Sequence, residues 1–497
     1  MIASRLSRAI AGALATAALA LGMPTAPADA AVQVDNGVEL RKAWSNPRTR
    51  AITLRRDIWL RACRRGEPIR ESPRSLVLDG QGHQIRQTCF EQRLLRQDGS
   101  GFLRIVDVTL TRGGSDGPGA AVTSRGEIVL EGARVRQNLS EEPGGGIFSQ
   151  RRVTVRDSVI TGNLANDDGG GIYARRGGIR VYDSVVSSNL VDGSGGAIGS
   201  TGDIKVIRSQ VDGNITDGDG GAIYTDEDGD VTVIDSTVDG STADGPGGAI
   251  FTLDGDVTIV NSTLNGNRAD DRGGAISGEA DVTVIGSTIA GNAAVAHVGG
   301  GIWARGNAYI TNSTIVNNFA EGQGGGVLAA GTLGLVNSTV LDNTASVGAN
   351  LGAGDQLLAF GSVIGPADVT SAGGLVRPTT HSCRVTEGIS YGYNFVSDES
   401  CRLDGPGDRV DVGDPMLDPM AANGGMGETR MPTGPSPVID GIPMLRCAFT
   451  PFGYDLEGEQ HLAEFSIDPL APISADQRTV ARPQGPGCDI GAVEVEP

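Results

Sequence analysis

One short pattern returns ten times along the middle of the chain and constrains the fold more than any other feature. In each copy a glycine-rich turn leads into an aliphatic residue, as in Gly144-Gly145-Gly146-Ile147. Successive copies lie 24 to 27 residues apart. A period this regular predicts stacked repeats rather than a globule with a single core. The aliphatic position is occupied by Val122, Ile147, Ile172, Ile198, Ile223, Ile250, Ile276, Ile302, Val327 and Leu351.

Every repeat also contains a run of β-branched residues in the same place, such as Val153–Ser158, Val231–Ser236 and Val257–Ser262. These runs begin with alternating apolar and polar residues, which is typical of a strand with one buried face. No segment between them is apolar at helical spacing, so a helix-containing solenoid is excluded. The pattern predicts an all-β parallel β-helix with about 25 residues per coil, whose coils stack at roughly 4.8 Å.

Two polar residue types recur with the same period, and we expect them to form internal ladders. Asparagine amides both donate and accept hydrogen bonds, so stacked amides can bond along a column. The paired glycines predict a corner that needs positive φ or a close backbone approach. The serine column is Ser158, Ser184, Ser209, Ser236, Ser262, Ser287, Ser313 and Ser338, and the asparagine column, interrupted by Ser241, is Asn138, Asn163, Asn189, Asn214, Asn267, Asn292, Asn318 and Asn343.

The N-terminus has the pattern of a secretory signal peptide. Arg5 and Arg8 precede an apolar stretch, and small residues at Ala28 and Ala30 predict cleavage before Ala31. No later segment has about 18 consecutive apolar residues, so we expect no integral membrane segment after signal removal. We divide the chain into a signal peptide (1–30), an N-terminal cap with the first coils (31–115), β-helix repeats (116–360) and a C-terminal domain (361–497).

Six cysteines in an exported chain predict disulfides. Cys63 and Cys89 lie 26 residues apart, one repeat length, so they would occupy equivalent positions on adjacent coils. Sequential pairing is completed by Cys383 with Cys401 and by Cys447 with Cys488. A metal site is the less favoured alternative because the chain has no CxxC motif and no cysteine–histidine cluster.

Charge is distributed unevenly along the chain. The net charge is −20, which does not favour nucleic acid as a partner. The segment from Arg41 to Arg112 is nevertheless rich in arginine. We interpret these arginines as solvated residues of the cap, and the alternative is contact with an anionic glycan or cell-wall polymer.

The repeats resemble right-handed, single-stranded parallel β-helix proteins of the pectin-lyase-like superfamily. Within it they are most similar to bacterial surface proteins with polymorphic-outer-membrane-protein-type Gly-Gly-Ala-Ile and Asn repeats. The C-terminal part resembles the choice-of-anchor Q domain. This resemblance implies export to the cell exterior or surface but no settled activity. It rests on Gly392–Asn394, Asp414–Leu417, Asn423–Gly425, Pro435–Asp440, Asp476–Arg478, Arg482–Gly485 and Cys488–Glu494.

Many pectin-lyase-like proteins act on polysaccharides, so the resemblance implies candidate sites for polysaccharide cleavage. Of the hydrolase motifs, only an Asp-Asp pair is present, at Asp167-Asp168, and we interpret it as a solvated turn. A lyase would need a basic residue beside an acidic cluster, and the candidates are Lys205, Arg208, Asp219 and Asp228. The richest acidic stretch offers a calcium alternative to a solvated turn, but its spacing is not that of an EF-hand. Its carboxylates are Asp217, Asp219, Asp226, Asp228 and Asp230.

We favour an exported, non-enzymatic β-helix that presents a long surface for adhesion or for interaction with the cell envelope or a polysaccharide, with no cofactor. The alternative is a polysaccharide lyase or glycoside hydrolase, which rests on fold analogy. An enzyme of this fold would have a groove with three or more convergent charged side chains, at least one with a shifted pKa. A smooth wall would favour the non-enzymatic hypothesis.

Overall fold

The computed structural model describes residues 31–496 apart from 62, 64–67, 90, 371–377 and 448–473. These residues form an all-β parallel solenoid of about 12 turns, which confirms the predicted fold class. The predicted signal peptide lies outside the described residues, and the right-handed winding stays a prediction. The α-helix of the described residues, Gly37–Ser45, has nine residues, and no helix there qualifies as a membrane span.

Two rows of strands run side by side along the rod. We call them row A and row B. Row A comprises Ile69–Arg70, Leu95–Gln97, Val122–Ser124, Ile147–Ser149, Ile172–Ala174, Ile198–Ser200, Ile223–Thr225, Ile250–Thr252, Ile276–Gly278, Ile302–Ala304 and Val327–Ala329. Row B comprises Val32–Val34, Ala51–Leu54, Leu76–Asp79, Leu103–Val106, Ile128–Glu131, Val153–Arg156, Ile179–Tyr182, Ile204–Ile207, Val231–Ile234, Val257–Val260, Val282–Ile285, Ala308–Thr311 and Leu333–Val336. The long strands Leu351–Phe360 and Cys383–Gly392 continue both rows.

Two further rows complete the coil. Row C comprises Ile58–Leu60, Gln84–Gln87, Thr109–Thr111, Arg134–Arg136, Val159–Thr161, Val185–Ser187, Gln210–Asp212, Thr263–Asn265, Thr288–Ala290, Thr314–Val316, Thr339–Leu341, Val363–Ile364, Phe395–Val396 and Arg409–Val410. Row D comprises Gly114–Ser115, Leu139–Ser140, Leu164–Ala165, Leu190–Val191, Ile215–Thr216, Thr242–Ala243, Arg268–Ala269, Ala293–Ala294 and Phe319–Ala320. The chain passes from D to A to B to C in each coil.

Alternation along each strand decides which side chains enter the core. In row A the first residue points inward and the second outward, as with Ile147 and Phe148. Rows B and C bury Val153, Val155 and Ile160 in the same coil. Each inward residue lies over its equivalent in the next coil because the pairing is parallel and in register. The result is one continuous core of stacked aliphatic columns.

The predicted asparagine ladder is present at the corner between rows C and D. Asn189 Nδ2 donates to Ile160 O at 3.2 Å and to Asn214 Oδ1 at 3.1 Å. Its own Oδ1 accepts from the backbone N and from Nδ2 of Asn163, each at 3.0 Å. The amides therefore satisfy buried backbone groups of neighbouring coils.

The left-handed conformation at this corner belongs to the residue before the asparagine, such as Gln137 or Ser188, and not to the asparagine itself. The serine ladder occupies the corner between rows B and C. There Ser158 N donates to Ser184 Oγ at 3.0 Å. The side chains of both columns thus hydrogen-bond buried backbone groups and have a structural role.

The glycine pair has both predicted roles. Gly144 has a φ of +77°, which an L side chain rarely adopts. A Cβ on Gly145 would lie 2.3 Å from the carbonyl oxygen of Gly170 in the next coil. The first glycine therefore turns the chain into row A, and the second lets adjacent coils approach.

The N-terminal end of the core is covered by the helix Gly37–Ser45. The Asn36 side chain accepts from the backbone N–H groups of Val38 and Glu39, which satisfies two donors of the first turn. Leu40 and Trp44 of this helix are fully buried, so it shields apolar side chains that the first coil would otherwise expose.

Parallel pairing continues beyond the predicted domain boundary at residue 360/361, through Val363–Ile364 to Arg409–Val410. The chain then folds back over the outer surface of row C. There Gln477 Nε2 donates to Thr288 Oγ1 at 2.8 Å, and Arg430 pairs with Asp342 at 2.7 Å. This segment contains a short antiparallel pair, Ile442–Pro443 with Gly487–Cys488, and a 3-10 helix at Met444–Arg446, which follows an earlier one at Glu399–Cys401.

The three predicted disulfides are formed, and their Cα atoms lie 5.3, 4.9 and 5.7 Å apart. They join Cys63 to Cys89, Cys383 to Cys401, and Cys447 to Cys488. The first links two successive coils, as the one-repeat spacing predicted.

We expect Asn189→Ala to lower the free energy of unfolding by about 2–4 kcal/mol, because Ile160 O and Asn163 N lose buried partners. Asn189→Ser is the matched control, since it copies Ser241, whose Oγ accepts from Asn214 N at 3.4 Å. Asn189→Ser should lower the free energy of unfolding clearly less than Asn189→Ala does. Urea unfolding followed by circular dichroism measures both, and equal midpoints for wild type and the alanine variant would contradict the ladder's role.

Cys63→Ser should destabilise the first coils by about 3 kcal/mol, because it opens a loop with a sequence separation of 26 residues. Hydrogen exchange of the first coils measures the effect, and the Cys63→Ser/Cys89→Ser double variant controls for a stray thiol. Alkylation of Cys63 in the unreduced wild-type protein would refute the pairing.

Candidate functional site

The outward-facing second residues of row A form a column with several aromatic rings. Phe148 and Tyr173 stack with centroids 6.1 Å apart and planes 3° apart. Tyr224 and Phe251 stack at 5.9 Å and 8°. In-register pairing causes this stacking, because adjacent coils are separated by roughly 4.8 Å. We call this column the groove floor, and it comprises Thr123, Phe148, Tyr173, Gly199, Tyr224, Phe251, Ser277 and Trp303.

Turns on both sides of row A rise above the floor and make it a groove. We call the turn from row D to row A the D–A wall and the turn from row A to row B the A–B wall. Depressions of about 260 and 450 Å³ lie along the groove, and one of about 550 Å³ adjoins them on the A–B wall. Gln150 of the A–B wall lines all three, and Phe148 lines the first two. The depressions thus form one continuous concave surface.

Asp168 of the D–A wall has an unusual electrostatic environment. Burial raises its pKa to about 6 from an ordinary value of 3.8, against the effect of the hydrogen bond that Ser194 N donates to it at 2.8 Å. The charges of Asp167, Asp226 and Asp219 raise it further. Asp167 is exposed, as expected of a solvated turn, whereas Asp168 is half-buried against Ser194 of the next coil.

The two tyrosines of the floor share this environment. Burial raises the pKa of Tyr173 to about 12, and Asp168 and Asp226 add to the effect. Burial also raises the pKa of Tyr224, again with the charges of Asp226 and Asp168. Both phenols therefore stay neutral in ordinary conditions and are available as hydrogen-bond donors.

The groove is bridged at the coil of Ser277. Arg272 of the D–A wall pairs with Glu279 of the A–B wall across the floor, and Arg305 approaches the same carboxylate at 3.3 Å. The Arg272 guanidinium lies 4.0 Å above the Trp303 ring. Ser277 beneath the bridge is fully buried. The bridge therefore covers the column at Ser277, and before it Phe148, Tyr173 and Phe251 are at most 7% exposed while Tyr224 is half-buried.

The four candidate lyase residues occupy four parts of the coil. Lys205 is buried on row B, and Arg208 lies at the corner after it. Arg208 binds both oxygens of Asp183 at 2.8 Å, which raises its pKa. Asp219 lies in the D–A wall and Asp228 in the turn after row A. Asp219 and Asp228 therefore lie on opposite walls of the groove, and of the four it is Asp219 whose charge acts on the pKa of Asp168.

The candidate calcium ligands are divided in the same way. Asp217 and Asp219 precede row A, whereas Asp226, Asp228 and Asp230 follow it. Asp230 Oδ1 accepts from Asp256 N at 2.9 Å, as part of a carboxylate ladder between coils. No three histidine, cysteine or carboxylate side chains of the described residues gather as a metal site. The five carboxylates therefore lie on both sides of row A, and calcium binding by them stays a prediction.

The groove floor and the partial burial of Asp168 were not predicted from the sequence. A signal for the floor was present, because an aromatic residue directly follows the recurring aliphatic residue at Phe148, Tyr173, Tyr224, Phe251 and Trp303. No signal marked Asp168, since its burial comes from the coils beside it.

Asp168 should make stability pH-dependent. Its pKa is higher in the folded than in the unfolded state, so the folded state gives up its proton less readily. Its contribution is full below about pH 4 and is lost as the pH rises through about 6. The melting temperature of Asp168→Asn minus that of wild type should therefore increase between pH 4 and pH 7. Asp192→Asn, at an exposed aspartate, is the control. If the melting-temperature difference from wild type depends on pH in the same way for both variants, the raised pKa of Asp168 is contradicted.

Comparisons with known families match two parts of the chain. Residues 31–138 match the model of the pectate lyase-like adhesive domain. Residues 157–175 and 209–226 match the Chlamydia polymorphic membrane protein repeat, and these segments contain Asp168, Tyr173, Asp219 and Tyr224. No curated protein and no solved structure gave a match. The predicted choice-of-anchor Q resemblance is untested by these matches and stays a prediction. The chain is a parallel β-solenoid protein, with one segment that matches the pectate lyase-like adhesive domain and two that match the polymorphic membrane protein repeat.

Proposed function

We propose that this protein is an exported, adhesin-like β-solenoid that binds a polysaccharide of the cell envelope or of a host surface along row A without cleaving it. The adhesive-domain and repeat matches support a surface role. The sequence pattern of residues 1–30 and the C-terminal resemblance support export. Recovery of a chain that begins at Ala31 from the culture medium or the cell surface, by mass spectrometry, tests export.

The observation that carries the proposal is the aromatic floor between two polar walls. The stacked rings cover one another's faces, so the column presents ring edges and phenol hydroxyls, and sugar hydroxyls bind polar groups of this kind. Here Tyr173 and Tyr224 supply rings and phenol donors, and Gln150 and Asp168 supply polar groups. The groove follows the rod axis, so an extended polymer fits it better than a compact molecule.

A specific observation also favours a glycoside hydrolase as the second candidate. Asp168 has the raised pKa of a general acid, and the charges of Asp219 and Asp226 act on it. The raised pKa of Asp168 meets one part of the criterion that we set for an enzyme, a shifted pKa in the groove. We still favour binding, because the matched families are an adhesive domain and a membrane-protein repeat, and Lys205 and Arg208 lie outside the groove.

Binding is tested with the purified chain and a panel of immobilised polyuronates, sulfated glycans, wall polymers and neutral glucans. We expect Tyr173→Ala/Tyr224→Ala to bind its glycan at least about tenfold more weakly, which corresponds to about 1.4 kcal/mol. Tyr309→Ala is the matched control, since Tyr309 is an outward tyrosine on row B, and it should bind like wild type. Equal affinities for the two variants would place the site elsewhere.

Cleavage is tested by incubating the same polymers with the protein, with and without calcium. The proposal predicts no release of reducing ends or of unsaturated products. Product release that is lost in Asp168→Asn would establish the hydrolase instead.

A further inference from the structure

We propose that the polysaccharide in the groove is anionic and that a group of arginines on the A–B wall binds its carboxylate, sulfate or phosphate groups. This inference rests on the proposed function, because it names the chemical class of the polymer. The group comprises Arg125, Arg151, Arg152, Arg175 and Arg176, which we call the arginine patch.

The patch belongs to the A–B walls of three successive coils and is concave. Arg125, Arg151, Arg152 and Arg176 line the depression of about 550 Å³. Glu127 is the single carboxylate among the residues that line it. Arg175 lies beside it and lines the depression of about 450 Å³, which contains Phe148 and Tyr173. The patch is therefore continuous with the aromatic floor.

The patch arginines have no carboxylate partner in the described part of the chain. The polar contact formed by a patch guanidinium is that of Arg152 Nε with Gly177 O at 3.3 Å. Arginines elsewhere behave differently, since Arg104 pairs with Glu131, and Arg208 with Asp183. Five neighbouring guanidinium groups repel one another, and an anion between them would remove that repulsion.

The distribution of charge along the chain also favours anion binding at the N-terminal coils, where the arginine patch lies. Residues 31–180 contain 25 lysines and arginines against 17 aspartates and glutamates. Residues 181–497 contain 13 against 42. A polyanion is therefore repelled by most of the molecule and attracted to the coils that carry the patch.

The chemistry of the patch suits oxyanions. A guanidinium group presents a planar fork of donors that matches carboxylate, sulfate and phosphate. Equivalent positions repeat at roughly 4.8 Å along the rod, so the patch suits anionic groups repeated along a polymer. Asp168 and Glu142 lie on the opposite wall. A polymer in the groove would therefore turn its anionic groups toward the A–B wall and its hydroxyls toward the D–A wall.

The test compares Arg151→Glu/Arg176→Glu with Arg134→Glu/Arg136→Glu. Arg134 and Arg136 are exposed on row C, so the second variant has the same net charge but leaves the groove intact. Probes are polygalacturonate, dextran sulfate, poly(glycerol phosphate), neutral dextran and single-stranded DNA. Affinity is measured between 50 and 500 mM NaCl, and melting temperatures verify folding. Arg151→Gln/Arg176→Gln replaces the first variant if that variant does not fold.

We expect at least one anionic glycan to bind more tightly than dextran, with an affinity that falls as salt increases. The groove variant should lose at least about tenfold in affinity and the row C variant less than about threefold. The preferred glycan distinguishes carboxylate, sulfate and phosphate groups as the recognised chemistry.

Several outcomes would overturn the inference. Neutral dextran binding as tightly as the anionic glycans, with loss in Tyr173→Ala/Tyr224→Ala, would refute the polymer class and leave the proposed function standing. An equal loss in both charge variants would show long-range attraction without a site. DNA binding above that of every glycan would make the patch a nucleic-acid surface. If no glycan in either panel binds, the proposed function fails as well.

Discussion

Parallel, in-register pairing between successive coils is the interaction on which the rest of the molecule depends. In the regular coils it places each strand residue directly over its equivalent in the next coil, at roughly 4.8 Å. The asparagine and serine ladders hold this register, because each side chain satisfies backbone groups of a neighbouring coil. The same register produces the core inside and the groove floor outside, so both are consequences of one constraint.

Features that repeat in every coil could be predicted from the sequence. The Ile, Asn and Ser columns, the glycine corner and the link between Cys63 and Cys89 all follow from a constant spacing. The course of the chain after the last regular coil could not be predicted in this way. The coils that contain Leu351–Phe360 and Cys383–Gly392 are irregular, with shifts in register between the two strands. The sequence period is therefore lost there, although parallel pairing continues.

The groove was harder to predict for a different physical reason. Gly199 and Ser277 interrupt the aromatic column, so it is less regular in sequence than the core. The pKa of Asp168 depends on burial by other coils and on the charges of Asp219 and Asp226, which are distant in sequence. Residues that distinguish one coil from the next thus form the site, whereas residues common to all coils form its support.

The bridge between Arg272 and Glu279 gives the groove a fixed length. From Thr123 to Phe251 the column runs for five coil-to-coil steps, or roughly 24 Å, before it reaches the bridge. In the proposed binding mode, a polymer lying along the column would be blocked at that end by the bridge. The position of the bridge would then set how many sugar units lie along the column at once.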